Sequence, residues 1–106
     1  MKETATKKQY LVISSYERDI EEPAAFNTHK QAFEAMVTDM CHQLDSDEIS
    51  AWKLKKHFKA GTLDTLDGYN DEFGIGNDSA WVNNNYNFDW KIVCLTVQDN
   101  RIIKCE

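Results

Sequence analysis

The chain is poor in the residues on which several protein classes depend. Its 106 residues include three cysteines, four glycines and one proline. The cysteines, at positions 41, 94 and 105, are odd in number and widely separated, which argues against a framework of disulfide bonds. Because no two of them form a Cys-x-x-Cys pair, the sequence offers no scaffold for structural zinc. We therefore expect neither a bound metal nor a cofactor.

Long apolar runs and clustered positive charges are also missing. No run approaches the ~20 apolar residues that a membrane-spanning helix needs. Residues 1–8 are polar and lack the apolar middle of a secretion signal. These features predict a cytoplasmic protein that makes no contact with membranes. The formal net charge is -6, and direct binding to nucleic acid is not expected, because phosphate contacts require clustered Lys and Arg.

What the chain does contain is sufficient for one folded domain. Hydrophobic residues make up 42% of the sequence, well above the content of disordered chains. A chain of this length normally forms one domain around one core. We expect a flexible N-terminus over residues 1–8 and a single α+β domain over residues 9–106.

The first predicted helix covers about residues 28–44. Thr28 and Gln31 have the spacing of a capping box, in which each side chain satisfies a free amide near the helix start. Apolar residues then recur at steps of three and four, at Phe33, Met36, Val37, Met40, Cys41 and Leu44. Such a stripe must be buried, and we expect it to pack on a sheet.

The second predicted helix covers about residues 46–59. Asp45 or Ser46 can cap its start, and Gly61 can end it in a left-handed conformation. Acidic residues at its beginning and lysines at its end complement the helix dipole.

Alternating and β-branched residues predict four strands, at residues 9–17, 73–83, 89–98 and 101–104. Charged residues and Pro23 indicate an irregular connection over residues 18–27. Gly74 and Gly76 suggest a bulge, and Asp99-Asn100 suits a two-residue hairpin turn. We predict an α+β fold with a three- or four-stranded, mostly antiparallel sheet, in the order strand, helix, helix, strand, strand, strand.

Both faces of the predicted sheet are apolar, and one of them is aromatic. Two helices can cover one face of such a small sheet. If both lie on the same side, the other face is left open as an interaction surface. We assign this surface to aromatic residues, namely Tyr10, Tyr16, Phe88, Trp90 and Trp81. In the alternative, the second helix or the acidic connection 61–72 folds over that face and closes the core.

Two short motifs carry a resemblance to known proteins. They are Ala80-Trp81-x-Asn83 and, after a loop rich in Asn, Asp89-Trp90-Lys91-Ile92. The pair is similar to the closing motif of small uncharacterised bacterial proteins that are often encoded near mobile elements. The resemblance implies an opening strand, one long helix and a bacterial setting, and it implies no catalytic role. A hairpin after Ile92 is a departure from that pattern.

Several candidate reactive groups do not form a recognisable site. Cys41 and His42 are adjacent on a helix, so their side chains diverge by about 100° and cannot pair as nucleophile and base. The Asn and Asp residues between 77 and 89 do not have the spacing of an EF-hand loop. We interpret them as turn residues, because their side chains bond to nearby backbone and tolerate positive φ.

These observations predict a non-enzymatic, acidic protein-interaction module that binds itself, as a homodimer, or another protein. One alternative is an inhibitor encoded by a mobile element, which imitates the charge of nucleic acid. Its acidic surface would be formed by Asp64, Asp67, Asp71 and Glu72, together with Asp19, Glu21 and Glu22. A second alternative is a small enzyme that uses Cys41 or a carboxylate in a site the sequence does not reveal.

Overall fold

The described part of the chain forms seven strands and two helices. A computed structural model describes residues 7–44, 50–83, 86–98 and 101–105. Residues 103–105 are described by their backbone alone. The strands are β1 Lys7–Tyr16, β2 Asp19–Ile20, β3 Ala24–Phe26, β4 Phe73–Ile75, β5 Ser79–Asn83, β6 Asn87–Gln98 and β7 Arg101–Cys105. The helices are α1 His29–Gln43 and α2 Ala51–Ala60, followed by a short 3-10 turn at Leu63–Thr65.

The two longest strands, β1 and β6, lie side by side at the centre of a single sheet. They pair antiparallel over the whole length of β1, from Lys7 opposite Val97 to Tyr16 opposite Phe88. The sheet order is β2-β1-β6-β5-β4, with β3 also beside β1 and β7 also beside β6. All of these strand pairings are antiparallel.

The α+β class, the two helices and the antiparallel sheet are confirmed, but the strand count and order were wrong. Residues 18–27, predicted to be irregular, contribute β2 and β3, which bond to the outer edge of β1. The predicted strand 73–83 is divided into β4 and β5, whose register is regular and contains no bulge. β1 begins at Lys7, so the end of the predicted flexible terminus belongs to the sheet.

A tight turn at Glu17 and Arg18 explains why the sequence pattern does not predict β2. Both residues have positive φ, 50° and 78°, as a two-residue hairpin turn requires, and Asn and Gly are the usual residues there. Positive φ costs roughly 1–2 kcal/mol per ordinary residue. Two bonds to β6 hold the turn in place: the Glu17 amide donates to the Asn87 carbonyl at 2.9 Å, and the Asn87 amide donates to Glu17 Oε1 at 2.9 Å.

Helix α1 forms as its sequence predicts. Thr28 is the N-cap, and its Oγ1 accepts a hydrogen bond from the Gln31 amide at 3.1 Å. Ala32, Met36, Val37 and Met40 are fully buried. The helix lies across β1, β3, β5 and β6, so its apolar stripe closes one face of the sheet.

Helix α2 packs on α1 and on the 3-10 turn, away from the sheet. It begins at Ala51 with Ser50 as its N-cap, later than predicted; the expected caps, Asp45 and Ser46, lie outside the described residues. Gly61 ends it with φ of 72°, as predicted. Its contribution to the core is the buried Leu54 and the half-buried Phe58, whose ring lies 4.9 Å from that of Phe33.

The last predicted strand is also present. β6 and β7 pair as a hairpin, with Gln98 opposite Arg101, and a register shift occurs between Thr96 and Val97. The predicted turn residues Asp99 and Asn100 lie outside the described residues.

Gly74 makes room for the ring of Trp81, which lies opposite it in the β4–β5 pair. A Cβ atom at position 74 would lie 2.4 Å from Trp81 Nε1. We expect Gly74→Ala to lower the free energy of unfolding by about 1–3 kcal/mol, because a side chain forced into this space displaces the indole. Urea denaturation measures the change.

The matched control is Gly76→Ala, whose Cβ would meet the flexible Ser79 side chain at 3.3 Å. Its effect should stay within about 0.5 kcal/mol. In a Trp81→Ala background, Gly74→Ala should lose most of its effect, because the two residues are in contact. An equal cost for both glycine substitutions in the native background would contradict this account.

Candidate interaction surfaces

The aromatic face of the sheet is the face that α1 covers. The register places Tyr16 opposite Phe88 and Ser14 opposite Trp90, so these side chains share one face. Trp90 is only 3% exposed and belongs to the core. The expectation that its ring lies on an exposed surface is therefore corrected. Aromatic rings bury the most apolar area, so the helix gains most by packing on them.

The five residues predicted to form one surface are distributed over two faces. Trp90 is buried, while Tyr10 and Phe88 are half-buried and pack against the core. Tyr16 is half-buried near the last turn of α1, beside the cavity described below. Trp81 points away from the helices, over Gly74. The structure therefore brings Tyr16, Phe88 and Trp90 together and separates Trp81 from them.

A hydrogen bond from Trp90 fastens α1 to the sheet. The indole Nε1 donates to Asp39 Oδ2 at 2.7 Å, and Asp39 lies on the exposed side of the helix. A buried Trp needs an acceptor for its N–H. That need could be read from the sequence, but the choice of Asp39 could not, because it depends on where the helix lies on the sheet.

Four aromatic rings form a row from the core to the surface. Phe88 stacks on Trp90, with ring centroids 6.0 Å apart, and its centroid lies 4.9 Å from that of Tyr16, with the two planes inclined by 30°. Tyr16 in turn lies 5.6 Å from Tyr86, with the two planes inclined by 58°. Tyr86 is 53% exposed, so the row ends in solvent.

A cavity of about 560 Å³ opens above this row, beside the last turn of α1. The rings of Tyr16, Tyr86, Phe88 and Trp90 line it together with Ser14, Ser15 and Gln43. Two carboxylates complete the lining, Glu21 from the chain after β2 and Asp39 from the helix. Aromatic rings and carboxylates therefore line the cavity together, and Asp39 is in direct contact with the Trp90 indole.

The surroundings of the Tyr16 phenol shift its pKa. Partial burial, and then the neighbouring Tyr86 and Glu17, raise the pKa of Tyr16 above its ordinary value of 10.0. Each of these causes disfavours the phenolate, so Tyr16 stays protonated and neutral across the physiological range.

The opposite face of the sheet is aliphatic, and within the described residues no helix covers it. We call it the open face; its apolar side chains are Leu11, Ile13, Ile20, Trp81, Val93, Leu95, Val97 and Ile102, of which Leu95 is only 6% exposed and the others are half-buried or exposed. Leu11 and Val93 pair directly at its centre. Ile20 and Ile102, near its two ends, are 73% and 62% exposed. Asp89 and Lys91 of β6 lie on the same face, next to one another at the end of β6 that precedes Val93.

The acidic residues of the inhibitor hypothesis fall into two separate groups. Asp64, Asp67, Asp71 and Glu72 are exposed in the segment that leads into β4. Asp19, Glu21 and Glu22 lie at β2, the opposite edge of the sheet, four strand spacings or roughly 19 Å away. The segment 61–72 also places Leu63 in the core that α1 and the sheet enclose.

The candidate reactive groups lie in surroundings that suit a structural role and not a catalytic one. Burial raises the pKa of the half-buried Cys41 thiol, so its nucleophilic thiolate is disfavoured. His29 Nε2 lies 2.9 Å from Asp78 Oδ1, and His57 Nδ1 lies 2.8 Å from Thr62 Oγ1. Among the residues with described side chains, no three His, Cys, Asp or Glu groups are placed to hold a metal ion. No helix in this part of the chain is long and apolar enough to cross a membrane.

Comparison with known proteins finds no matching family model, no matching curated protein and no matching solved structure.

Removing the acceptor of the Trp90 bond should destabilise the fold. We expect Asp39→Ala to lower the free energy of unfolding by about 1–3 kcal/mol, since it leaves a buried indole N–H without a partner. Ala is also the better helix former, so the measured loss is a lower bound. Asp39→Asn keeps an acceptor oxygen and should cost less. Asp64→Ala, on the exposed 3-10 turn, is the control in urea denaturation, and an equal effect from it would refute the role of Asp39.

Removing the Tyr86 hydroxyl should lower the pKa of Tyr16. Tyr86→Phe abolishes one of the charges that oppose the Tyr16 phenolate, while Tyr69→Phe should leave that pKa unchanged. Titration of the Tyr16 Cζ carbon by NMR measures both. Because the folded pKa is raised, Tyr16 contributes stability that is fully present below pH 10 and is lost as pH rises through the folded pKa. A Tyr16 pKa indifferent to Tyr86 would contradict the assignment.

Proposed function

We propose that this chain is a non-enzymatic interaction module that associates with a second copy of itself through the open face. The observation that carries the proposal is the aliphatic stripe centred on Leu11 and Val93, on the side of the sheet away from both helices. Contiguous apolar surface of this kind usually marks a site of association.

A second copy suits this surface because two sheets can pack face to face around interdigitating aliphatic side chains. In a two-fold dimer the same patch meets itself. Lys91 and Asp89 lie two positions apart on the open face, so Lys91 of one copy can approach Asp89 of the other. This charge complementarity favours self-association over binding to an arbitrary apolar partner.

The size of the open face predicts a weak dimer. From Ile13, opposite Lys91, to Val97 the stripe runs roughly 20 Å along β6. At Leu11 and Val93 the strands β3, β1 and β6 lie side by side, so the sheet is about 15 Å wide there. The resulting area of about 300 Å² per copy is well under half that of a standard stable interface. The net charge of -6 on each copy also opposes association, and salt screens this repulsion.

The two alternatives have less support. An inhibitor that imitates nucleic acid needs its carboxylates on one surface, and the two acidic groups lie at opposite edges of the sheet. An enzyme needs a nucleophile, a base and a group that orients the base. The aromatic cavity does contain a pair of carboxylates, but Asp39 is already bonded to Trp90, and the Cys41 thiol is partly buried.

Solution mass by light scattering tests the proposal. We expect a dimer mass that increases with protein concentration and with salt. Val93→Thr keeps the β-branched shape but places a hydroxyl at the centre of the open face. Because each change acts twice in a symmetric dimer, it should weaken association about tenfold or more.

The matched control is Trp52→Thr on the outer side of α2, where the ring is 67% exposed and lies far from the open face in the fold. Thermal unfolding verifies that both variants remain folded. A native protein that stays monomeric at high concentration and high salt would sink the proposal, as would equal dissociation of the two variants.

A further inference from the structure

We infer that the aromatic cavity beside α1 binds the guanidinium group of an arginine side chain from a protein partner. This site lies on the helix side of the sheet and the open face lies on the other. The inference therefore goes beyond the homodimer and does not depend on it.

The charge of the cavity selects a cation. Glu21 and Asp39 both line it, and no Lys, Arg or His is among its described lining residues. A carboxylate has two oxygens, and the Trp90 indole occupies only Oδ2 of Asp39. The other oxygen can accept from a bound ligand without breaking the bond that fastens the helix.

The aromatic rings that line the cavity favour a flat cation. Tyr16 and Tyr86 meet at an angle of 58° and form a corner at the solvent end, and Phe88 lies behind Tyr16. A guanidinium is planar, is weakly hydrated, stacks on aromatic rings and donates two parallel hydrogen bonds to a carboxylate. A lysine ammonium is a compact, strongly hydrated charge that uses such walls less well.

The surroundings of the cavity favour a peptide over a free small molecule. A second cavity, of about 770 Å³, lies along α1 and shares Asp39 with the first. Polar groups of Asn27, Gln31 and Thr38 line this second cavity and can bond to a peptide backbone. Glu34 adds negative charge there, although Lys55 approaches it to 3.7 Å. Because the two cavities share Asp39, a peptide that occupied both would run along one side of α1.

The volume of the aromatic cavity is also appropriate. Small-molecule sites commonly enclose about 300–1,000 Å³, and the 560 Å³ found here is ample for one long side chain. Tyr86 is more than half exposed, so its ring is accessible to a ligand that arrives from solvent.

NMR titration with short peptides tests the inference. The probe is acetyl-Gly-Arg-Gly-amide, with the Lys and Gln peptides as matched ligands. The chain has three indole N–H groups, and only that of Trp90 lines the cavity, since Trp52 is on α2 and Trp81 is on the open face. The Arg peptide should shift the Trp90 resonance in a saturable way and leave the other two in place. The Gln peptide should have no such effect.

Variants separate a specific site from general attraction to an acidic protein. Glu21→Gln and Asp39→Asn should each weaken the Arg peptide about tenfold, because each removes one charge from the cavity. Tyr86→Ala removes an exposed wall without disturbing the core and should weaken binding similarly. Asp64→Asn makes the same charge change at the opposite edge of the sheet and should alter binding less than about twofold.

Three results would overturn the inference: no saturable shift of Trp90, equal shifts of all three indoles, or an Asp64→Asn effect as large as that of Glu21→Gln. Equal affinity for the Lys peptide would overturn the assignment to arginine. The titration is repeated in Val93→Thr, so that loss of the dimer and loss of peptide binding are read separately.

Discussion

The antiparallel ladder between β1 and β6 is the constraint on which the rest of the molecule depends. Side chains alternate along a strand, so one register decides the face of every residue in both strands. With Tyr16 opposite Phe88 and Leu11 opposite Val93, the rings of β1 and β6 lie on one side together with Val12 and Ile92, and Leu11, Ile13, Val93, Leu95 and Val97 lie on the other. A shift of β6 by one residue relative to β1 would move Trp90 to the open face and Val93 to the face that α1 covers. The register of the ladder therefore determines both the core and the open face.

Much of the scaffold could be predicted because its signals are local. The cap at Thr28, the apolar stripe of α1 and the left-handed Gly61 all depend on neighbours within one or two helical turns. The short strands β2 and β3 could not be predicted, because Glu17, Arg18 and Pro23 belong to types that disfavour a hairpin or a strand. Their pairing is a tertiary effect, in which the outer edge of β1 supplies the bonds.

The candidate surfaces were predictable only in part, for a related reason. Alternation along the strands correctly placed Leu11 with Ile13 and Trp90 with Phe88, and so revealed two apolar faces. Alternation carries no information on which face the helices choose. That choice follows from the area the rings offer and from the bond between Trp90 and Asp39, which joins residues far apart in the sequence. The cavity beside α1 arises from the same choice, because the helix ends before it covers Tyr16 and Tyr86.

The position of β1 and β6 in the chain has a consequence for how the protein acquires its structure. The neighbours β5, β6 and β7 follow one another directly and can associate as a local meander, whereas the central ladder joins strands from opposite ends of the described chain. Closing so long a loop is entropically expensive and slows folding. During synthesis on the ribosome β1 cannot pair with β6 until β6 has emerged. Until then the apolar side chains of β1 belong to a partly folded intermediate that is prone to misassociation.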